Sequence, residues 1–325
     1  MKKKILLVGF NKPKINLIKK KIKNCILLNS MNINKFKSTH LDALVTKNRR
    51  NFEKFYYSKH FDKFSKKLKW IHVGASGVEK YENLKKFLKR KVIITNTGKI
   101  YHNQIADHAI GLLLSLTRNL HLVSKYGFKK KFSYFPRSLS KKKIMIIGYG
   151  NIGKQIAKRA FSFGMIINAV TLNSKPKKNK IIKNFFSYRN YESHLKSMDV
   201  IIFSLPLNSK SNKMYNFKTA KKYKKGVIIV NISRGEIISE RALYKNLKNE
   251  NVLAYGTDVL KDEKKLKPNN KLLKLKNFLY TPHIASLSDD MELENISLIS
   301  DLIHKFVNQK IQKKFRLRSS SFVSN

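Results

Sequence analysis

The sequence predicts an α/β protein with two doubly wound parallel sheets, and three observations support this fold class. Short apolar runs alternate with polar, helix-compatible segments along the first hundred residues. A glycine-rich turn then links an apolar run to a helical segment near residue 150, and the same alternation resumes after it. This rhythm is typical of parallel sheets, and 325 residues suffice for two domains.

The first domain is predicted from five apolar runs, each short enough for one buried strand. Between them lie segments rich in Lys and Asn that are compatible with surface helices. We therefore expect a small parallel domain over residues 1–98, the first part of a substrate-binding or catalytic domain. The runs are Ile5–Val8, Cys25–Leu28, Ala43–Thr46, Trp70–Val73 and Val92–Thr95.

A long helix is predicted between Asn103 and Leu122, where apolar residues occur nearly all round the helical wheel. Such a helix is buried in a core or at an interface. We expect it to begin the second domain, over residues 99–286.

The glycine turn in Ile144–Gly164 predicts a dinucleotide site. Gly148 allows the tight turn, Gly150 lets the backbone approach a pyrophosphate, and Gly153 lets the helix lie close to the strand. Asn151 and Ile152 open the helix, whose N-terminus attracts phosphate charge. The same pattern can be a plain glycine turn, but strand, turn and helix follow here in the order that a cofactor site requires.

The next strand, Ile166–Val170, bears on which dinucleotide binds. An acidic residue at its end would bind the ribose hydroxyls of NAD, and Thr171 stands there instead. The residues that follow, Asn173, Ser174 and Lys175, could accept a 2′-phosphate. The sequence therefore favours NADP over NAD, although lysine is so abundant in this chain that Lys175 is weak support.

The alternation of predicted strands and helices continues to residue 281, and a further helix follows. The further predicted strands are Val200–Leu205, Val227–Ile232, Val252–Val259 and Phe278–Thr281. Residues 289–307 have helical periodicity, and we expect that helix to return to the first domain within a closing segment, 287–325. The basic, serine-rich tail from Lys313 is expected to fray.

Three chemically suited side chains follow three of these strands. Arg234, Glu263 and His283 would meet in one cleft, because ligands of open α/β sheets bind beyond the carboxyl ends of the strands. Histidine exchanges protons near neutral pH, a carboxylate orients it, and arginine holds a carboxylate substrate. An arginine, a carboxylate and a histidine at this edge therefore make a plausible catalytic set.

These blocks give the chain its resemblance to a known family. The glycine turn and the segments Asn231–Gly235, Asp258–Glu263 and Thr281–Ala285 resemble those of the D-isomer-specific 2-hydroxyacid dehydrogenases, in particular glyoxylate and hydroxypyruvate reductases. The likeness extends upstream to Leu68–Glu79. It implies a Rossmann domain inserted into a flavodoxin-like catalytic domain, and hydride transfer between NAD(P)H and a small 2-oxoacid or D-2-hydroxyacid.

The resemblance also implies roles for single residues. The backbone amides of Ser76, Gly77 and Val78 would receive the substrate carboxylate, and Asp258 would contact the nicotinamide amide. A plain capping carboxylate is the alternative for Asp258. Leu260 and Lys264 depart from the family, which has phenylalanine and proline there. Further cofactor contacts are implied for Pro206, Ile232 and Ser233, and a homodimer is implied through the helix near residues 103–122.

A net charge of +51 would ordinarily suggest a nucleic-acid or anionic-membrane partner, but the distribution of the charge does not support one. The 59 lysines outnumber the 11 arginines and are scattered along the chain, whereas nucleic-acid readers concentrate arginine on one element. We expect no specific nucleic-acid partner. Two alternatives to an enzyme stay open: a dinucleotide-sensing, corepressor-like binding protein and a non-specific polyanion binder.

The remaining sequence features fit a cytoplasmic enzyme without metal. Cys25 is the single cysteine, which excludes an intramolecular disulfide, and no apolar stretch approaches the roughly 20 residues that cross a bilayer. We find no metal-ligand pattern. His72, His102 and His108 lack a functional context in the sequence and are expected to be structural or solvent-facing.

Overall fold

Parallel strands alternate with helices in the computed structural model of the chain. The structure describes residues 2–29, 40–58, 61–75, 77, 78, 81, 83–98, 100–127, 134–172 and 180–311. The strands are β1 (Lys3–Val8), β2 (Cys25–Asn29), β3 (Ala43–Thr46), β4 (Trp70–Val73), β5 (Ile93–Asn96), β6 (Lys143–Ile147), β7 (Ile166–Thr171), β8 (Ile182–Ser187), β9 (Val200–Phe203), β10 (Val227–Asn231), β11 (Val252–Thr257) and β12 (Phe278–Tyr280). The α-helices are α1 (Lys12–Lys21), α2 (Arg49–Tyr56), α3 (Phe61–Ser65), α4 (Leu84–Lys89), α5 (His102–Thr117), α6 (Leu120–Tyr126), α7 (Asn151–Ser162), α8 (Phe217–Ala220), α9 (Glu240–Lys248) and α10 (Met291–Val307).

The first of two compact units combines Met1–Tyr101 with Ser288–Asn325. Its five parallel strands run in the order β2-β1-β3-β4-β5, which is the flavodoxin-like order. Helix α10 belongs to this unit and packs beside α1. Its apolar face, including Ile299, Ile303 and Phe306, shares one buried cluster with Ile5 of β1 and Trp70 of β4.

The second unit spans His102–Leu287 and holds seven parallel strands in the order β12-β11-β10-β9-β6-β7-β8. The chain starts in the middle at β6, winds outward to β8, returns to β9 and continues to β12. The order therefore reverses between β6 and β9, where open α/β sheets bind ligands. Strands such as β10 and β11 are buried at every residue, as in a sheet covered on both faces. The predicted fold class is confirmed.

The sequence predicts one continuous helix over Asn103–Leu122, and this is wrong, because the structure has two helices there. Helix α5 ends at Thr117, and Asn119 adopts a left-handed conformation with φ of 57° before α6 begins. Asparagine tolerates this conformation better than most residues. The Asn119 side chain also donates to the carbonyl of Tyr134 at 2.9 Å, which fixes the break.

Strand β8 was not predicted. It is an edge strand in which polar Lys183 and Asn184 follow the single buried Ile182, so its apolar signal is weak. Several predicted strands are also too long at their carboxyl ends, since β9 ends at Phe203 and β11 at Thr257. There the backbone leaves the ladder and forms the loops that present polar side chains. The tail from Lys313 lies outside the described residues.

Among the residues that the structure describes, no helix combines the length and the apolar character that a membrane span requires.

Candidate active site

Three neighbouring strands present the predicted catalytic side chains at one edge of the larger sheet. Strands β10, β11 and β12 lie side by side and run parallel. Arg234 follows β10, Glu263 follows β11 in a short 3-10 turn, and His283 follows β12. All three residues therefore lie beyond the carboxyl edge of this sheet.

His283 and Glu263 form a direct pair, with 2.8 Å between His283 Nδ1 and Glu263 Oε2. An ionised carboxylate only accepts hydrogen bonds, so the imidazole donates from Nδ1. Among the described residues Nε2 has no partner, and the histidine side chain is 54% exposed against 26% for Glu263. The pair therefore presents Nε2 outward with its ring orientation fixed, which is the arrangement of a general acid or base.

The loop that carries Glu263 is held at two points. Glu263 Oε1 accepts from the backbone amide of Leu260 at 3.0 Å, and Glu240 accepts from the amide of Lys261 at 3.1 Å. Leu260 is buried in the core, which accommodates its departure from the family pattern. A Cβ on Gly235 would lie 2.1 Å from the carbonyl carbon of Leu260. Only glycine at 235 allows the Arg234 and Glu263 loops to approach so closely.

The His283 loop has an unusual backbone. His283 has φ of 58°, in the left-handed region that residues with a Cβ rarely adopt. Its amide donates to the carbonyls of Asp258 at 3.0 Å and Thr281 at 2.9 Å. The Asp258 carboxylate, 3% exposed, accepts from the amides of Ile284 and Ala285, each at 2.9 Å, and from the Thr281 hydroxyl at 2.6 Å. These bonds hold the loop in the left-handed turn.

The sequence did not predict a role for two residues that contact these loops, Asn231 at the Arg234 loop and His108 at the His283 loop. Asn231 accepts from the amide of Ser233 at 3.0 Å and donates to the carbonyl of Arg234 at 2.9 Å. A polar residue ending a buried strand is a signal that could have identified it. His108 of α5 lies 2.7 Å from the Thr281 hydroxyl, a contact that no local pattern indicates.

The glycine turn fits a dinucleotide phosphate. Gly148 has φ of 106°, and a Cβ there would lie 2.5 Å from the carbonyl oxygen of Ser204. A Cβ on Gly153 would lie 2.1 Å from the carbonyl oxygen of Gly148. At Gly150, by contrast, a Cβ would meet no atom of the described residues within 4 Å, and no side chain caps α7 there. The N-terminus of α7 therefore lacks a side-chain cap beside the open space at Gly150, and a helix terminus of this kind suits an anion.

The other predicted cofactor residues lie at neighbouring strand ends. Thr171 is the last residue of β7 and partly buried, whereas Pro206 is exposed after β9. Ile232 and Ser233 are buried after β10, and the Ser233 hydroxyl accepts from the amide of Leu205 at 3.0 Å. The candidate phosphate ligands Asn173, Ser174 and Lys175 lie outside the described residues.

The predicted substrate-carboxylate loop belongs to the other unit. Gly77 and Val78 follow β4, and Val78 is buried in that unit's core. Ser76 lies outside the described residues.

His72, on β4 in the same unit, is structural, as expected. Its Nδ1 lies 2.9 Å from the Thr95 hydroxyl, and complete burial lowers its pKa from 6.5 to about 3. Desolvation penalises the charged ring, so this histidine stays neutral.

Known proteins resemble this chain in sequence and in fold. Residues 110–285 match the family described as D-isomer specific 2-hydroxyacid dehydrogenase, NAD binding domain. The chain is 32% identical over 229 residues to glyoxylate reductase of Pyrococcus furiosus, covering 66% of this chain and 67% of that protein. It is 32% identical over 242 residues to hydroxypyruvate reductase of Thermotoga maritima, covering 73% and 77%. The fold resembles apo D-mandelate dehydrogenase of Rhodotorula graminis with a TM-score of 0.80 at 19% identity, covering 94% of each chain.

Proposed function

The chain belongs to the D-isomer-specific 2-hydroxyacid dehydrogenase family, and we propose that it reduces a small 2-oxoacid of the glyoxylate or hydroxypyruvate kind to the D-2-hydroxyacid. The observation that supports this activity most is the 2.8 Å pair between His283 and Glu263 at the carboxyl edge of a dinucleotide-binding sheet. A protein that only binds the dinucleotide has no need of an oriented acid.

The chain's own residues would move the proton of this reaction. A bound reduced nicotinamide supplies the hydride that adds to the ketone carbon, so that the carbonyl oxygen gains negative charge. The His283 imidazolium donates its Nε2 proton to that oxygen and becomes neutral, while Nδ1 keeps its hydrogen bond to Glu263. The product is the hydroxyl group. In the reverse direction neutral His283 takes the hydroxyl proton back.

Arg234 would bind and polarise the substrate. Its planar guanidinium has donors in a fixed fork that suits a carboxylate, and the same group stabilises charge on the neighbouring carbonyl oxygen. One donor, Nη1, bonds to the carbonyl of Ser233 at 2.7 Å, which restrains the side chain. The backbone amides of Ser76, Gly77 and Val78 are proposed to bind the substrate carboxylate. These residues belong to the proposed substrate domain, which consists of residues 1–98 and 287–325.

The cofactor would lie across the glycine turn, with its pyrophosphate over Gly150 and the N-terminus of α7. Asp258 is proposed to contact the nicotinamide amide, as the family resemblance implies, and three hydrogen bonds within the chain fix the position of its carboxylate. Pro206, Ile232 and Ser233 are proposed as further contacts. We propose NADP as the preferred cofactor because Thr171 replaces the acidic residue that selects NAD. A homodimer is proposed from the family resemblance, and light scattering measures it.

The test is a panel of glyoxylate, hydroxypyruvate and pyruvate with NADH and with NADPH, followed by the loss of reduced-nicotinamide absorbance. We expect turnover in the wild type, and a higher kcat/KM with NADPH. His283→Ala should lose about 10²- to 10⁴-fold in kcat, the usual contribution of a general acid. Its cofactor Kd, from fluorescence titration, should stay unchanged.

Arg234→Lys is the companion variant, since it keeps the charge and loses the fork. We expect it to raise KM for the oxoacid more than it changes cofactor Kd. An active His283→Ala variant contradicts the proposed mechanism. Tight cofactor binding by the wild type without turnover of any 2-oxoacid supports the dinucleotide-sensing alternative instead.

A further inference from the structure

A second histidine is connected to the loop that carries His283. His108 lies on α5, and its Nε2 is 2.7 Å from the Thr281 hydroxyl oxygen and 3.5 Å from Asp258 Oδ1. The Thr281 hydroxyl in turn is 2.6 Å from the same Asp258 oxygen. Three side chains from α5, β11's end and β12's end thus form one continuous chain of polar contacts inside the second unit.

The directions of these hydrogen bonds follow from what each group can donate. The Asp258 carboxylate accepts only, and the threonine hydroxyl has a single hydrogen, which points to Asp258. The bond between His108 and Thr281 therefore needs its hydrogen from His108 Nε2. This requirement fixes His108 as a donor at Nε2, so the imidazole orients the hydroxyl towards the carboxylate.

The Asp258 carboxylate, which is the last group in this series of hydrogen bonds, holds the backbone next to His283. Besides Thr281, it accepts from the amides of Ile284 and Ala285, the two residues that follow His283. His283 itself is left-handed, a conformation that persists only where the surroundings impose it. A carboxylate that is 3% exposed also needs its donors, since it has almost no access to water.

We propose that His108 is a positioning residue for His283. It donates to Thr281, Thr281 donates to Asp258, and Asp258 then anchors residues 284 and 285, so that the left-handed turn and the outward Nε2 of His283 are maintained. This inference rests on the proposed function only where it concerns turnover. The state of the loop can be measured without any substrate.

Two matched pairs of variants test the proposal. His108→Leu removes the donor, whereas His108→Gln keeps an N–H at a similar reach. Thr281→Val removes the hydroxyl at nearly constant shape, whereas Thr281→Ser keeps it. The second pair keeps the test valid if His108→Leu does not fold.

The first readout is amide hydrogen exchange of the peptide containing residues 283–285, measured by mass spectrometry on the full chain. We expect faster exchange in His108→Leu and Thr281→Val, and wild-type exchange in His108→Gln and Thr281→Ser. This readout stands even if the wild type reduces no 2-oxoacid, in which case the proposed function fails and the positioning role is still tested.

The second readout is steady-state kinetics with the best oxoacid of the panel. We expect kcat to fall about 10- to 100-fold in the two variants that lack the donor or the hydroxyl, as for the loss of one hydrogen bond to a charged network. KM and cofactor Kd should change much less, and the conservative variants should recover kcat. Wild-type exchange and kcat in His108→Leu and Thr281→Val, or equal losses in all four variants, would overturn the proposal.

Discussion

Replacing Gly150 with alanine separates the glycine that a cofactor requires from those that the fold requires. A Cβ at Gly150 meets nothing among the described residues within 4 Å, and its φ of −83° and ψ of −158° suit alanine. Alanine gains about 0.4–1 kcal/mol from the unfolded chain, but it is a poorer helix N-cap than glycine by a similar amount. We therefore expect the free energy of unfolding to change by less than about 1 kcal/mol.

Cofactor binding should respond differently, because the methyl group would occupy the space that a pyrophosphate needs beside the backbone. Overpacking of one such group costs about 1–3 kcal/mol, which corresponds to roughly a 5- to 150-fold weaker Kd. The measurements are fluorescence titration with NADH and NADPH, and thermal unfolding without cofactor.

Two other glycines are the controls. A Cβ on Gly153 would lie 2.1 Å from the carbonyl oxygen of Gly148, so Gly153→Ala should lose stability as well as binding. Gly111 lies within α5, outside the glycine turn, and Gly111→Ala should leave the Kd for both cofactors unchanged. A folded Gly150→Ala variant with the wild-type Kd for both cofactors refutes the assignment of this turn to the pyrophosphate.

Two further predictions concern the catalytic loops and acid stability. Gly235→Ala should reduce kcat about 10²-fold, since the loops of Arg234 and Glu263 must separate by about 1 Å or more to admit the methyl group; a kcat equal to that of Gly111→Ala contradicts this. For His72, burial lowers the pKa to about 3, so below pH 6.5 the unfolded chain binds a proton that the folded chain does not. The free energy of unfolding should fall as the pH drops, by up to about 1.4 kcal/mol per pH unit. Urea unfolding at a series of pH values measures this dependence, and the slope of unfolding free energy against pH should be smaller in His72→Leu. An equal slope in both proteins rules out this histidine as the cause.

The parts of the fold that follow from local pattern were predicted from the sequence. Buried parallel strands read as Val- and Ile-rich runs, and the carboxyl end of such a strand is recognisable where the run gives way to polar residues, as at Arg234 and His283. The sheet then brings these ends together, so Glu263 and His283 could be paired without knowledge of their loops.

Features that depend on distant partners could not be predicted in this way. His108 is separated from Thr281 by 173 residues, and only the packing of α5 in the second unit brings them together. The left-handed backbone of His283 depends on Asp258, whose carboxylate would be an ordinary cap in another context. The break between α5 and α6 is fixed by the hydrogen bond from the Asn119 side chain to the carbonyl of Tyr134, which lies in a later loop. The helical periodicity of the sequence contains no sign of this bond.

The composite first unit has a consequence for biosynthesis. Its core needs Ile299, Ile303 and Phe306 of α10 against Ile5 and Trp70, and these residues are translated after the whole second unit. At roughly 5–20 residues per second, the ribosome takes roughly 10–40 s to pass from Tyr101 to Met291. During that interval this cluster has Ile15 and Ile18 of α1 but lacks its α10 residues, so part of its apolar surface is exposed to chaperones and to aggregation while the dinucleotide-binding unit is already free to fold.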